Sequence, residues 1–404
     1  MMPFLWIGLV GGSLGAGVSL AVLLVVTRRR EGLVMAGGIA SMALSVLAAN
    51  NLVAYYDRPV LTVIASVIAV GSVGGGFALV SSLLSYVRVR PNTLTLPPPG
   101  DPGRSLVVLL ADVEPDEYVA GEVTREIADL VDAGLPEPRM SVLPFHYAAQ
   151  KARYRAVGGR SPEAGQAAGL AERLEKHLDP ARFAGPVMVR CGDGSALRAA
   201  LDSAHEAGYK ASIAAGAYIA EGYRVGAERS GADTPMPELS LAYTRSLWAS
   251  DKLANLVARR TLAARSDPER TGVALVVHGQ PGVHERANRS FDIQENSFAN
   301  RIRLFLIEEG LHGDRVRVCS AEWRDPGVTE TVRHLAAIGC DRVLVVPACQ
   351  PFANLQTLLD FAGAVRDARV PEDVRVVHIA PWGDDEVFAE VLAAAIEEAA
   401  PDAG

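Results

Sequence analysis

The residues best placed to do chemistry lie in Val273-Ala-Leu-Val-Val-His-Gly-Gln-Pro281, a short apolar run that ends in a histidine inside a Gly/Pro turn. Such a run reads as a buried parallel strand, and open α/β sheets place ligands at the carboxyl ends of these strands. His278 therefore stands where a neutral imidazole can ligate a metal ion or accept a proton. The competing reading is a histidine that caps the strand and bonds its own turn. Acids follow other predicted strands: Asp112 and Glu114 after the first, and Glu322 after the strand that starts at Val316. All three could point toward the strand ends, or be solvated loop acids. Arg153, Arg155 and Arg160 flank the Gly158-Gly159 turn. There glycine lets backbone approach a ligand and arginine can grip a carboxylate bidentately, unless the three face solvent. Tyr218 either stacks on a ligand ring or is buried at a strand end.

These residues need a scaffold, and the pattern supplies one. Strands are expected at Ser105 to Ala111, Pro186 to Arg190, Ala211 to Ala215, Val273 to His278, Val316 to Ser320, Arg342 to Pro347 and Val374 to Ala380. Helices are expected at Glu117 to Asp132, Pro162 to His177, Ser195 to Ala207, Leu247 to Ala264, Asn296 to Glu309, Val328 to Ile338 and Asp385 to Ala399. This alternation is the signature of parallel sheets with crossover helices. The fold class is α/β, and its halves echo each other. The strand at Pro186, a helix, Gly208 and the strand at Ala211 recur as the strand at Val316, a helix, Gly339 and the strand at Arg342. Two similar Rossmann-like lobes, 105–245 and 246–404, would enclose a cleft between their strand ends.

Residues 1–89 belong to a different solvent. Phe4 to Thr27 carries no charge and is long enough to cross a hydrocarbon core as a helix. Leu33 to Tyr55, interrupted only by Asn50 and Asn51, and Val60 to Val87 form two more spans. The first lacks the basic leader of a signal peptide and is followed by Arg28-Arg29-Arg30, so cleavage is not expected. Arg28 to Arg30, Arg88 and Arg90 fall on one side of a three-span topology and Arg58 alone on the other, which puts the amino terminus outside and the large domain in the cytoplasm. Gly11, Gly12, Gly15 and Gly17, with Gly71, Gly74, Gly75 and Gly76, would allow close helix packing within the bundle or a homo-oligomer. No ionisable residue lies in mid-membrane, which argues against a pump or proton relay. No histidine precedes His146, so haem held by two histidines within the spans is excluded. The module reads as an anchor, with a quinone or haem site as the alternative. A Pro-rich linker, 90–104, should be extended.

Composition narrows the rest. The 404 residues carry a net charge of −8 and no basic run, so nucleic acid is not expected as a partner. Cys191, Cys319, Cys340 and Cys349 show no Cys-x-x-Cys spacing. They fit small buried hydrophobes in a reduced compartment better than a disulfide framework, a zinc knuckle or an iron-sulfur cluster.

Several stretches resemble one family in the right order over about 105–400. Tyr154-Arg-Ala-Val-Gly-Gly-Arg-Ser-Pro162 is similar to the Gly-Gly-x-Ser-Pro signature of ferrochelatases, enzymes that insert iron into porphyrins. His278-Gly-Gln-Pro281 resembles their Ala-His-x-x-Pro turn, and Ser320-Ala-Glu-Trp-Arg-Asp-Pro326 their Gly-Pro-x-x-Trp-x-x-Pro segment. Ala217-Tyr218 is similar to the Ser-Ala-Tyr motif of the actinobacterial coproporphyrin type. The resemblance implies a tetrapyrrole ligand, porphyrin or haem, and ferrous iron as the substrate metal. It implies His278 as base and metal ligand with Glu322 as a second ligand, and Gly158, Gly159, Ser161, Arg155, Arg160, Tyr218 and Trp323 as ring-binding residues. Three departures mark a divergent member. The family's Ser-Asp-His-x-Glu is Phe352-Ala-Asn-Leu-Gln356, so the carboxylate expected to share catalysis is the amide of Gln356. Its Trp-Gly-Asn-Arg-Asn-Trp is Val189-Arg-Cys-Gly-Asp-Gly194, and its opening Gly-Gly-Pro loop is Asp112-Val-Glu-Pro-Asp-Glu117. A non-catalytic haem, porphyrin or metal binder on the same scaffold is the alternative to a chelatase.

The charge asymmetry predicts that a reporter fused after Gly404 reads cytoplasmic; a signal from outside the membrane would overturn the topology.

Overall fold

The computed structural model describes residues 2–26, 28–56, 59–81, 96–98, 104–132, 143–192, 194–234, 236, 238–282, 284–286 and 288–401. Arg58, Arg88, Arg90 and most of the Pro-rich linker lie outside the described residues. Two compact units form: 1–90 with 117–160, and 91–116 with 161–404.

The first unit holds three helices, α1 (Met2–Val25), α2 (Arg28–Tyr56) and α3 (Pro59–Ser81), each long and apolar enough to cross a membrane. The asparagines expected to interrupt α2 do not, because the Asn51 side chain donates to the Leu47 carbonyl one turn back at 2.8 Å. Of the glycines expected at helix contacts, Gly17 and Gly76 are the tightest, since a Cβ at either would meet a backbone oxygen of the facing helix, Val73 or Leu14. Gly11, Gly71, Gly74 and Gly75 instead face open space. Two further helices belong to this unit, α4 (Ala120–Asp132) and α5 (Leu143–Ala156). Although they follow the first strand of the α/β unit in the chain, they group with α1 to α3, α5 packing on α1 and α4 on α5. No helix was expected at α5, because its exposed apolar face is mostly alanine and its buried side holds Tyr147, Lys151 and Tyr154, so the sequence pattern is weak.

The second unit is α/β. Strands β1 (Ser105–Ala111), β2 (Phe183–Arg190), β3 (Ala211–Gly216) and β4 (Ser240–Tyr243) form one parallel sheet in the order β2-β1-β3-β4. Strands β5 (Thr271–Val277), β6 (Val316–Ser320), β7 (Arg342–Pro347) and β8 (Arg375–His378) form another in the order β6-β5-β7-β8. The internal echo in the sequence is thus a repeat of topology. Gly208 and Gly339, at equivalent turns, both adopt left-handed φ, near 93° and 90°. Only β4 escaped expectation among the strands; it is short, and its residues are half-buried or exposed.

The sheets share one core. Val107, Leu109 and Ala111 of β1 and Val273, Leu275 and Val277 of β5 all point into a common apolar layer. That layer is filled by α6 (Glu163–His177), α9 (Asp251–Ala263), α10 (Ser290–Glu308) and α13 (Glu386–Ala399). Alternate strand residues turn outward: Leu106, Val108 and Leu110 to α7 (Ala196–Glu206) and α8 (Tyr223–Ala232). Ala274 and Val276 turn to α11 (Val328–Ala337) and α12 (Phe361–Ala368). Burial on both faces is why the strands read as unbroken apolar runs. The helix expected from Leu247 to Ala264 breaks at Ser250, whose hydroxyl accepts the Leu253 N–H at 3.3 Å and caps α9.

Candidate functional site

The carboxyl ends of β5 and β6 place His278, Glu322 and Trp323 together. The Glu322 N–H donates to the His278 carbonyl at 3.2 Å, so the two turns are stitched by backbone. Gly279 adopts φ near 79°, and a Cβ there would stand 2.3 Å from the Glu322 carbonyl oxygen, so only glycine fits this close approach. The His278 imidazole is exposed and bonds no described residue, which separates it from a histidine that caps its own turn. The Glu322 carboxylate is likewise exposed. Trp323 is 53 % exposed and sits at φ near 67°, a left-handed conformation that costs a side-chain-bearing residue about 1–2 kcal/mol. Ile293 on α10 is also exposed, and Arg324, next to Trp323, pairs with Asp292 at 2.8 Å and Glu285 at 3.0 Å.

What holds the His278 turn is a residue the sequence reading did not single out. Glu295 on α10 is almost wholly buried, and its two carboxylate oxygens accept the N–H groups of His278 at 3.1 Å and Gly279 at 2.9 Å. Burial raises its pKa, opposed by the charge of His278 and these two bonds. Its spacing from Phe298, Ala299 and Ile302 puts it on the buried stripe of α10, a signal lost because the helix was expected to start only at Asn296.

Gln356 begins a π-helical turn, Gln356–Asp360, and is buried. Its Oε1 accepts the amide of Gln350, which follows β7, at 3.1 Å. Just before it, a polar knot ties the two lobes. Glu114 Oε1 accepts the Ser161 hydroxyl and, at 2.8 Å, the Leu355 N–H. Glu163 accepts the Glu114 N–H at 2.7 Å and the Asn354 amide at 3.0 Å. Ser161 and Glu114 are therefore engaged with each other. Burial pushes the Glu163 carboxyl up to about 8, with the charges of Glu114 and Asp112 acting in the same direction. Asp112, the other acid after β1, lies 3.7 Å from Arg224.

The remaining expected residues have other partners. Tyr218 folds back over Gly216, packs in the outer layer of the first sheet and has its phenol pKa raised by burial. In the first unit, Gly158 and Gly159 end α5 with left-handed φ, and the Gly159 N–H returns to the Tyr154 carbonyl at 2.7 Å. Arg155 pairs with Glu31 at 2.8 Å, Arg160 places two guanidinium nitrogens on Glu117 at 3.1 and 3.0 Å, and Arg153 donates to Gln150 at 3.3 Å. Among the described residues no three His, Cys, Asp or Glu side chains are assembled as a ready metal site. The four cysteines are buried and unpaired, and burial raises the pKa of each thiol.

A profile of the ferrochelatase family matches residues 131–400, more than half of the chain. The chain belongs to the ferrochelatase family. No curated protein matches it significantly. Among solved structures, a LacI family transcriptional regulator from Silicibacter pomeroyi is 11 % identical, covers 73 % of this chain and 92 % of its own, and superposes with a TM-score of 0.28. A LacI family regulator from Rhizobium etli is 9 % identical, with 73 % and 90 % covered and a TM-score of 0.31. Both likenesses are too slight to bear on function. The Gln350–Gln356 pair brings two amides together, and neither can take a proton.

Glu163 yields a signed prediction. Between the ordinary carboxylate range and about pH 8 the folded chain keeps a proton that the unfolded chain has lost. The stabilisation is therefore complete below that range and fades as pH rises to about 8. Glu163→Gln cannot ionise, so the advantage of the native chain over the variant should be largest near about pH 5 and shrink toward pH 8. Thermal unfolding of the full-length protein in detergent measures it; a difference that does not change with pH would show that Glu163 does not titrate there.

Proposed function

We propose that this chain binds a tetrapyrrole, a protoporphyrin or coproporphyrin, in a cleft between the strand ends of its two lobes. The site lies at the cytoplasmic face of the membrane that its three helices cross, and ferrous iron is the substrate metal. One observation carries the reading: in a ferrochelatase-family chain, His278 stands exposed at the end of β5, its imidazole unbonded to any described residue, beside an exposed Trp323. An indole offers a face for a flat macrocycle, and a neutral imidazole offers a lone pair to the metal or to a pyrrole proton. A membrane anchor suits a ligand that is poorly soluble in water.

Inserting a divalent ion into a porphyrin expels two pyrrole protons. His278 supplies one acceptor, with Glu322 beside it as an exposed carboxylate and second candidate ligand. Gln356, held by Gln350, adds none. Arg155 and Arg160, expected to grip ring propionates, are each paired with a carboxylate, Glu31 and Glu117. The amide pair favours a second reading, a haem or porphyrin binder that has given up insertion.

Absorbance titration and a metal-insertion assay on the full-length protein separate these readings. His278→Ala should weaken haem-iron or metal binding more than it weakens binding of the metal-free ring. The native chain should insert metal slowly or not at all, and Gln356→Glu should raise the rate by restoring a base. Combining the two changes shows whether the residues act as a unit. Unchanged binding in both variants with no insertion in any would remove the tetrapyrrole reading.

A further inference from the structure

We propose that the exposed face of α5 is a membrane-docking surface, seated in the headgroup and acyl boundary of the same bilayer that α1 to α3 cross. This rests on reading those helices as membrane spans. It is independent of the tetrapyrrole reading.

The buried side of α5 fixes where the helix lies. Lys151, buried, donates to the Leu23 carbonyl and, at 2.9 Å, to that of Val26. These carbonyls lie in the last turn of α1 and just past it, where final carbonyls lack intrahelical partners and carry the negative end of the helix dipole. Lys151 also pairs with Glu31, in the first turn of α2, at 2.9 Å, and Arg155 reaches the same carboxylate at 2.8 Å. The Tyr118 hydroxyl donates to the Leu24 carbonyl. The span candidate in α1 ends at Val25, so α5 is clamped to the level where the first helix leaves the hydrocarbon.

The opposite side of α5 is apolar. Phe145, Ala148, Ala149, Ala152 and Ala156 lie on successive turns of one face, and all are exposed. Phe145 is 72 % exposed, level with Phe4 at 76 % and Leu33 at 77 % on the spans. Among the described residues outside the spans, no large apolar side chain is more exposed. A helix with an apolar face and basic flanks partitions into the interface, where the apolar face enters the acyl boundary and the bases meet anionic headgroups. Here the half-buried Arg153 and the exposed Arg155 flank the face, and α5 carries no acid. The occupant the surface fits is thus an anionic lipid surface, continuous with the lipid that must surround α1 to α3.

The test labels the full-length protein, reconstituted in nanodiscs containing phosphatidylglycerol, with an environment-sensitive fluorophore at one of three introduced cysteines. Phe145→Cys reports the proposed surface, Val67→Cys an exposed position on α3, and Glu206→Cys an exposed position on α7. The native cysteines are buried. At Phe145 we expect blue-shifted emission, quenched several-fold more by a shallow lipid-borne nitroxide than by aqueous iodide, with the reverse at Glu206. If Val67 reports lipid while Phe145 is quenched by iodide as strongly as Glu206, the docking surface is overturned and the spans stand. If Val67 does not report lipid, the span reading fails and the proposal falls with it. A Phe145 label shielded from both quenchers in a particle holding two chains would assign the face to a second copy and also overturn it.

Discussion

Buried and half-buried carboxylates that collect backbone N–H groups hold the carboxyl ends of both sheets. A parallel strand that stops leaves amide groups without ladder partners, and burying them unpaired is costly. Glu295 takes the N–H groups of His278 and Gly279. Glu228, fully buried on α8, takes those of Gly192, Gly194 and Leu197, and so holds the loop after β2 and the start of α7. Glu114 takes that of Leu355, and Glu163 takes that of Glu114. The loops that carry the candidate chemistry are thus pinned from beneath by these acids. That arrangement leaves the His278 ring itself uncommitted.

The same economy separates acids that hold structure from acids that could react. Glu114 and Glu163 sit side by side, and burial keeps Glu163 protonated to about pH 8. Their bonds reach Asn354 and Leu355, immediately before Gln356. Gln356, next in the chain after this network, is an amide bonded to the amide of Gln350. Two amides can donate and accept hydrogen bonds there but cannot take up a proton.

In the first unit an ionic clamp is added to the apolar packing of α1, α2 and α3. Lys151 joins the end of α1 to the start of α2 through carbonyls and Glu31, and Arg155 shares that carboxylate. The short turn between two apolar helices becomes a docking point for α5. The module is consequently more than a tether: two helices from the middle of the chain, α4 and α5, are part of its compact unit.

The sequence by itself determined the α/β class, the repeated lobes, seven of the eight strands, the three apolar helices and the family, along with His278 at a strand end. Strands buried on both faces and helices facing lipid are written as local runs, so composition within a short window suffices. The tertiary structure alone decided which polar residues are committed. Ser161 and Arg160 beside a glycine turn and Glu114 after a strand all look like loop residues, but Ser161 is bound to Glu114, Glu114 to Leu355, and Arg160 to Glu117. Glu295 sat unremarked one position before the expected start of its helix, and Gln350 gave no sign that it would pair with Gln356. Such pairings join side chains through space, often from distant parts of the chain, and no spacing rule reaches across a fold that only the packing of its sheets and helices brings together.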